Sequence, residues 1–489
     1  MSESGTLTGA AEDWGSVERF EPGESHGMVT LCAATAAMGG FLFGYDSAVI
    51  NGAVKAIGDY FNTPAGVLGF AVSSALIGAA IGAFMAGRIA DRFGRLKAMW
   101  MAAALFLISA IGTGLSDVLW LLIIFRVIGG VAVGAASVIA PAYIAEIAPA
   151  RIRGRLGSLQ QLAIVVGIFI ALLIDYVLAT AAGGSEKDLW LGLEAWRWMF
   201  LSMAVPSLLY FGLSLTIPES PRHLVRLGKF DEAKSVLRKV LGNIDLDAKV
   251  AQIRETMHTQ SAPKWSDLRG KFLGLLPIVW VGIGLSVFQQ FVGINVIFYY
   301  SSVLWQAVGF SENDSLIITV ITSVVNVVST LIAIATIDKF GRKPLLLIGS
   351  LGMTVTLGIM AVIFGTASTN ASGEPVLHGL AGPVALLSAN LFVFFFATSW
   401  GPVVWVLLGE TFPNRIRAAA LSLAAAAQWV ANWVISTSFP SLKDAGLGLA
   451  YGIYAACALL SLLFVLRFVR ETKGQELEAM TDEVRVMAH

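Results

Sequence analysis

Charged residues are scarce in this sequence: they make up 13% of the 489 residues, whereas apolar residues make up 56%. The mean hydropathy of +0.75 lies far above the range of a soluble domain. Basic and acidic residues balance at 33 each, so the net charge indicates neither a nucleic acid nor any other strongly charged partner. The composition therefore predicts an integral membrane protein.

Cysteine is nearly absent as well. The two cysteines, Cys32 and Cys457, both fall within apolar stretches, which excludes a disulfide framework and a cysteine-based zinc site. We expect no metal and no organic cofactor. The first 27 residues are polar and acidic, without a basic segment ahead of an apolar core, so no cleavable signal peptide is predicted. No nucleophile, base and oxyanion donor converge in the sequence, which argues against an enzyme.

What the sequence does contain is long apolar runs. A run of about 20 apolar residues crosses a bilayer as a helix, and hydropathy predicts an all-α membrane protein with about twelve such helices. The predicted spans are residues 28–52, 66–88, 97–115, 118–140, 155–180, 196–217, 272–301, 315–337, 344–366, 380–409, 417–440 and 446–469.

The basic residues occupy alternate loops between these spans. The positive-inside rule places such loops in the cytoplasm, and the intervening loops carry little more than Lys55, Lys187 and Lys443. Both termini are therefore predicted to be cytoplasmic. The cytoplasmic basic residues are Arg88, Arg92, Arg95, Lys97, Arg151, Arg153, Arg155, Lys339, Arg342, Lys343, Arg415 and Arg417.

An internal repeat divides the chain. DRFGR at 91–95 returns as DKFGR at 338–342, EIAPARIR at 146–153 returns as ETFPNRIR at 410–417, and PES at 218–220 corresponds to RET at 470–472. Parallel repeats with a binding site between them are typical of transporters. The predicted units are an N-terminal tail (1–27), a six-helix half (28–217), a cytoplasmic linker of short helices (218–271), a second six-helix half (272–469) and a C-terminal tail (470–489).

The repeated motifs place acids and arginines at the cytoplasmic helix ends of both halves. Because their spacing recurs, we expect ion pairs that join one half to the other while the inner side is closed, each worth on the order of 1 kcal/mol. The alternative is positive-inside anchoring with solvated acids. The predicted latch residues are Arg88, Asp91, Arg95, Glu146, Arg153, Glu219, Arg222, Asp338, Arg342, Glu410, Arg417 and Glu471.

Asp46 interrupts the first apolar run, in FLFGYDSAVI. An aspartate at the centre of a membrane helix costs roughly 2.5–3.5 kcal/mol, which marks it as functional. It is predicted to lie about six residues, or about 9 Å, from the outer end of its span, and Arg126 lies at a similar depth in the fourth span. We expect an ion pair that changes as the halves move and so couples transport to protons. The alternative is a static pair that stabilises packing.

Uncharged amides recur at mid-depth in three other spans. Such groups both donate and accept hydrogen bonds, and beside aromatic rings they suit a polyhydroxylated neutral ring rather than a phosphate. Gln290 and Asn295 can face one cavity only if the helix unwinds near Gly293. Trp405 follows an expected helix break at Gly401-Pro402, and Trp429 is a further aromatic surface. The candidate substrate-binding residues are Phe43, Gln161, Gln289, Gln290, Asn295, Tyr300, Trp405, Gln428 and Asn432.

The ordered motifs resemble those of the sugar porter family within the major facilitator superfamily, over almost the whole chain. They are FGYDSAVING, GRIADRFGR, PAYIAEIAPARIRG, PESPR, QQFVGIN, DKFGRK, GPVVWVLLGETFPNRIR and ETKG. The resemblance implies twelve membrane helices, alternating access and a monosaccharide substrate. It also implies sugar contacts for Gln161, Gln289, Gln290, Asn295, Trp405 and Gln428, a site lined by Phe43 and Tyr300, and a proton-binding role for Asp46 beside Arg126. The departures from its motifs, His223, Arg470 and Ala418, lie on the cytoplasmic side.

The resulting hypothesis is a proton-coupled importer of a neutral monosaccharide, glucose or another hexose, that acts as a monomer in a bacterial plasma membrane. The proton is then a coupling ion, and the partners are the sugar and the bilayer. A facilitative uniporter with a structural Asp46 is the alternative. A transporter-like sugar sensor is disfavoured because only about 20 residues follow the last span, and a drug exporter is disfavoured because its pocket would be apolar.

Overall fold

The computed structural model describes residues 26–148, 153–242, 245–259, 265–369, 375–412 and 416–472. The described chain is almost entirely α-helical, and two short hairpins are formed by its four strands. Eleven helical segments in this part of the chain are long and apolar enough to cross a membrane. The predicted sixth span differs, because it is divided at Met203 into two helices of 8 and 11 residues.

The N-terminal half contains the first eight helices. Each apolar run of the sequence forms a helix, because within a bilayer a helix satisfies its backbone hydrogen bonds inside the segment itself. The elements are α1 (His26–Ala48), α2 (Ile50–Tyr60), α3 (Ala65–Phe93), α4 (Arg95–Gly114), α5 (Leu119–Ile147), α6 (Arg153–Ala182), β1 (Asp188–Trp190), β2 (Leu193–Glu194), α7 (Ala195–Ser202) and α8 (Ala204–Ser214).

A linker of short helices follows, as the charged, amphipathic sequence predicts. Its α10 has acidic residues in the first turn and basic residues in the last, which complements the helix dipole. The linker helices are α9 (Pro221–Arg226), α10 (Phe230–Leu241) and α11 (Leu246–Thr259), followed by a 3₁₀ turn at Trp265–Leu268.

The C-terminal half repeats the arrangement. Its elements are α12 (Pro277–Phe291), α13 (Ile294–Ala307), α14 (Glu312–Phe340), α15 (Arg342–Gly365), β3 (Ser368–Thr369), β4 (Pro375–Val376), α16 (Ala381–Ala397), α17 (Trp400–Thr411), α18 (Arg417–Ala445) and α19 (Leu447–Phe468).

Close helix packing in the N-terminal half depends on glycine. Gly78 and Gly82 of α3 face Gly130 and Gly134 of α5, and a Cβ on any of the four would lie within about 2 Å of a backbone oxygen of the opposite helix. Small residues four apart on both helices let the backbones approach, which is how membrane helices associate without a hydrophobic driving force. This contact holds the helix that carries Arg126 in place.

The first span extends beyond its predicted end near residue 52. The segment Gly27–Tyr60 is one 34-residue span, in which α2 follows α1 after Val49. The helix continues although its sequence becomes more polar, because Val54, Ala56 and Ile57 remain buried against the protein. Asp46 therefore lies fourteen residues, or about 21 Å of helix, before the end of the helical segment at Tyr60, rather than the predicted six residues before the end of its span.

Two other spans are interrupted near the predicted sites. The seventh breaks at Gly293, whose φ of 83° is a left-handed conformation that favours glycine. The predicted unwinding between Gln290 and Asn295 is thus confirmed. The tenth span breaks between Ala397 and Trp400, at Ser399. The expected break at Gly401-Pro402 is wrong, because both residues lie in the first turn of α17, where proline leaves no helical hydrogen bond unmade.

Candidate functional site

The two predicted intramembrane charges form an ion pair. Arg126 Nη1, on α5, donates to Asp46 Oδ1 of α1 at 3.3 Å and to the Asp46 backbone oxygen at 3.1 Å. Asp46 is 1% exposed and Arg126 2% exposed, so the pair is shielded from water. The Arg126 guanidinium also lies 5.9 Å from the centre of the Phe200 ring. Removing either charge would leave the other buried and unpaired, which costs about 3–5 kcal/mol.

A small cavity with room for about one water molecule adjoins this pair. Asp46, Ser47 and Arg126 line it from the N-terminal half, and Tyr299 of α13 lines it from the C-terminal half. The Tyr299 hydroxyl interacts with the side chains of Ser47 and Asn432. Tyr299 thus connects the ion pair of one half to a predicted substrate-binding amide of the other.

The amides of the seventh span form a hydrogen-bonded chain around the break at Gly293. Asn295 Nδ2 donates to Gln290 Oε1 at 2.5 Å, and Gln290 Nε2 donates to Gln289 Oε1 at 3.3 Å. Gln289 Nε2 in turn donates to the backbone oxygens of Trp400 (2.8 Å) and Gly401 (3.2 Å) at the start of α17. The breaks in two spans are therefore joined by side-chain amides.

Aromatic side chains are a second feature of the candidate site. The rings of Phe43, from α1, and Trp429, from α18, are 5.9 Å apart and so meet across the two halves. Tyr300 is 1% exposed, and its hydroxyl donates to the Ser436 backbone oxygen at 2.7 Å. Since that hydroxyl is already engaged, Tyr300 can line the site but is poorly placed to donate to a ligand.

The remaining predicted substrate-binding residues lie on three helices, α6, α17 and α18. Gln161 is half-buried on α6, Trp405 is 43% exposed on α17, and Asn432 on α18 accepts a hydrogen bond from Ser436 Oγ at 3.0 Å. Gln428 Oε1 is buried, without a hydrogen-bond partner among the described residues. A buried, unpaired amide oxygen costs about 1–3 kcal/mol, and a ligand hydroxyl could satisfy it.

At the end of the N-terminal half where α3 gives way to α4, Arg95 begins α4 and binds two acids. Its Nη2 is 2.7 Å from Glu146 Oε1, at the end of α5, and its Nη1 is 3.1 Å from Asp91 Oδ1. Glu219 accepts the backbone amides of Arg95 (2.9 Å) and Leu96 (3.2 Å), which caps α4. We call Asp91, Arg95, Glu146 and Glu219 the N-terminal cluster.

The C-terminal half contains an equivalent C-terminal cluster, Arg342, Glu410 and Glu471. Arg342 Nη2 and Nε donate to Glu410 at 2.7 and 3.0 Å. Glu471 accepts the backbone amides of Arg342 (3.0 Å) and Lys343 (2.9 Å), which caps α15. The predicted latch concerns pairs between the halves while the inner side is closed, and it stays a prediction. Each ion pair stays within one half, because the helices that carry the acid and the arginine pack against each other there.

The other predicted latch residues lie outside the two clusters or outside the described side chains. Arg88 is exposed and stacks on Phe84, one turn earlier in α3, at 4.8 Å. Arg417 donates to the Phe412 backbone oxygen at 3.0 Å, and Arg222 lies in α9. The side chains of Arg153 and Asp338 are outside the described residues.

Two buried residues were not predicted. Tyr299, described above, gives no sequence signal, because tyrosine is unremarkable in an apolar helix. Asp175 lies within α6 and is fully buried. An acidic residue in an apolar run, the signal that marks Asp46, marks Asp175 equally well in ALLIDYVLA.

Comparison with known proteins agrees with this architecture. The model of the family described as "Sugar (and other) transporter" matches residues 32–483. The chain is 59% identical to a glucose transport protein of Synechocystis over 93% of this chain and 97% of that protein. It is 41% identical to the D-xylose-proton symporter of Escherichia coli K12, over 92% and 94% of the two chains.

The fold is also that of a solved transporter. The inward open structure of the xylose transporter from Escherichia coli aligns with a TM-score of 0.79 and 38% identity, over 93% of this chain and 99% of that chain. That fold is a major facilitator fold of twelve helices, into which the eleven spans and the divided sixth span fit. The protein is a transporter rather than an enzyme, and the chain belongs to the sugar transporter family.

Proposed function

We propose that the protein is a proton-coupled importer of a neutral monosaccharide, with D-glucose as the first candidate. The observation that carries the proposal is the buried Asp46–Arg126 pair, which shares a cavity with Tyr299 of the opposite half. The glucose transport protein of Synechocystis and the D-xylose-proton symporter of Escherichia coli support the substrate class and the coupling ion.

The coupling follows from the charge of Asp46. While the carboxylate is ionised, its attraction to Arg126 holds α1 against α5; a proton removes that attraction. Tyr299 then transmits the change to Asn432 and the amides beside it. One charge crossing 100 mV gains about 2.3 kcal/mol, so one proton per cycle supports about forty-fold accumulation of a neutral sugar.

The substrate is proposed from the polar groups that the site presents. The amides of Gln289, Gln290, Asn295 and Gln428 both donate and accept, which suits hydroxyl groups, and Phe43 with Trp429 offers a flat apolar surface. Gln161, Trp405, Tyr300 and Asn432 complete the proposed site. An anionic substrate such as a sugar phosphate would require arginine side chains to bind it.

The proposed location is the plasma membrane, with both termini cytoplasmic and one chain sufficient for transport. The N-terminal cluster and the C-terminal cluster then lie at the cytoplasmic surface, where they hold the helix ends of each half together. We propose that they come into contact across the halves when the inner side closes.

The experiment compares the native protein with Asp46→Asn in proteoliposomes. Uptake of labelled glucose is measured with and without an inward proton gradient, beside exchange of labelled for unlabelled glucose. We expect the native protein to accumulate glucose, and the variant to lose accumulation while it still exchanges sugar, because the amide cannot bind and release a proton. Asp444→Asn, which removes an exposed carboxylate paired with Lys443, is the matched control and should behave as native.

Equilibration without accumulation by both proteins would contradict proton coupling. The protein would then be a facilitative uniporter, and Asp46 a structural partner of Arg126. Xylose and galactose as competitors of labelled glucose test the substrate in the same vesicles. If labelled glucose does not enter the vesicles, glucose is not the substrate.

A further inference from the structure

A second acid is buried in the membrane-spanning part of the protein, apart from the Asp46–Arg126 pair. Asp175, in α6, is 0% exposed. Its Oδ2 accepts the backbone amide of Gly52 at 3.1 Å, and its Oδ1 has no hydrogen-bond partner among the described residues. An ionised carboxylate buried with one hydrogen bond and no cation is far more costly than the neutral acid.

The polar and charged side chains on the helices around Asp175 have partners other than Asp175. Tyr45 of α1 is electrostatically coupled to Asp175, but its hydroxyl is hydrogen-bonded to Ser202 at 2.6 Å. On the neighbouring elements, Arg126 pairs with Asp46, Lys55 with Glu186, and Arg197 with Asp117 and Glu194. The acids Asp59, Glu312 and Asp314 are hydrogen-bonded to Glu186, the Ser185 amide and Ser311. Lys339 lies in the last turn of α14. Among the described residues, therefore, no cation neutralises Asp175.

Asp175 contacts a helical turn that joins the two halves of the protein. Gly52 is in the first turn of α2, and a Cβ there would lie 2.8 Å from the Asp175 Cβ, so α2 rests directly on the acid. The preceding residue, Asn51, is fully buried and binds α13 of the opposite half through three hydrogen bonds. These are Asn51 Nδ2 to the Phe298 oxygen (3.1 Å), the Ser302 amide to Asn51 Oδ1 (3.2 Å), and Ser302 Oγ to the Asn51 oxygen (2.6 Å).

One helical turn is thus held on one side by Asp175 and on the other by the C-terminal half. Opening the outer side requires α2 to leave α13, and the same movement loosens the Gly52 contact and admits water to Asp175. We propose that Asp175 is a second proton-binding group, which binds its proton from the outside and must be neutral for the Asn51 contacts to close. This inference rests on the proposed alternating transport of sugar and assigns a role that Asp46 does not fill.

The test separates Asp175 from Asp46 by using exchange in the Asp46→Asn protein, where no net proton flow is required. A single titrating group changes the closing equilibrium by up to about tenfold per pH unit. We therefore expect glucose exchange by Asp46→Asn to slow at least about threefold as external pH rises from about 5.5 to about 8.5. Exchange by Asp46→Asn/Asp175→Asn should be independent of external pH, whereas Asp46→Asn/Asp444→Asn should keep the dependence. Persistence of the full pH dependence in the Asp175 double variant would overturn the proposal.

A second measurement does not depend on transport. In the purified protein with Asp46 intact, hydrogen–deuterium exchange of the peptide that contains Asn51 should become faster at high pH, after correction for the intrinsic rate. Asp175→Asn, and Asp175→Ser if the first variant is unstable, should abolish this change. A pH-dependent opening that survives both substitutions would contradict the assignment.

The two proposals fail in different ways. If the native protein does not accumulate glucose but the pH dependence of exchange disappears with Asp175→Asn, proton-coupled import is wrong and the Asp175 assignment stands. If accumulation depends on Asp46 and the pH dependence of exchange is unchanged by Asp175→Asn, only the assignment of Asp175 is wrong.

Discussion

The N-terminal and C-terminal clusters have nearly the same arrangement of charged groups. In each, an arginine follows a glycine at the end of one helix and binds a glutamate at 2.7 Å, and a second glutamate accepts two backbone amides of the next helix. Ser220 in one half and Thr472 in the other donate to the paired glutamate at 2.5 and 2.6 Å. A repeated sequence has therefore produced repeated local chemistry 247 residues apart, as the motif spacing predicts.

The clusters differ in what surrounds them. The Glu146 side chain is 9% exposed, whereas that of Glu410 is 28% exposed. Asp91 of the N-terminal cluster also pairs with Arg226 of α9, at 2.7 Å, which ties this cluster to the linker. The linker thus protects the N-terminal cluster from water, while the C-terminal cluster is more open. The arginine–glutamate ion pair should therefore contribute more to the free energy of unfolding in the N-terminal cluster than in the C-terminal cluster.

The largest expected effect is loss of the cluster arginine. Arg95→Met leaves Glu146 buried without its cation, and we expect a loss of about 3–5 kcal/mol in the free energy of unfolding. Arg342→Met should cost less, because water can hydrate the more exposed Glu410. Thermal unfolding of the purified variants, followed by circular dichroism, measures the difference. Equal losses, or a larger loss for Arg342→Met, would show that the linker does not shield the N-terminal cluster.

The capping glutamates should give a smaller and symmetric effect. Glu219→Ala and Glu471→Ala each remove the acceptor of two backbone amides at a helix start, at a cost of about 1 kcal/mol. Because the distances in the two halves agree closely, the losses should be similar. Hydrogen–deuterium exchange of the first turns of α4 and α15 reports each cap locally. A loss of protection in only one of the two helix starts would show that the two caps are not equivalent.

The smallest effect concerns His223 of α9, which lies beside the N-terminal cluster. Burial lowers the pKa of His223, the charges of Arg95 and Arg226 lower it further, and Glu219 opposes them. The folded protein therefore binds this proton less readily than the unfolded chain. Stability contributed by the neutral imidazole should be lost as pH falls below the ordinary histidine value of about 6.5.

The measurement is the melting temperature of the native protein and of His223→Gln between about pH 8 and about pH 5. The native protein should lose more stability on acidification than the variant. A steeper loss in His223→Gln would mean that the protonated form is favoured in the folded state instead.

Much of the site was predictable because its residues stand out locally. Asp46 is conspicuous in an apolar run, Arg126 has the matching charge, and Gly293 is the residue that a broken helix between Gln290 and Asn295 requires. The role of Tyr299 was not predictable in this way, because its importance lies in what it contacts. Asp175 could have been found from its charge, but its link to the contacts between Asn51 and α13 could not.

The amino-acid sequence by itself determined that the chain is a multi-pass membrane protein and that its motifs repeat, since these depend on hydropathy and on local motifs. The tertiary structure alone decided that the first span continues to Tyr60, that the tenth breaks at Ser399 and that the arginine clusters pair within each half. It also decided which of two buried acids has a cation. The physical reason is that the cost of a polar group depends on its neighbours in space, and those neighbours come from helices far apart in the chain.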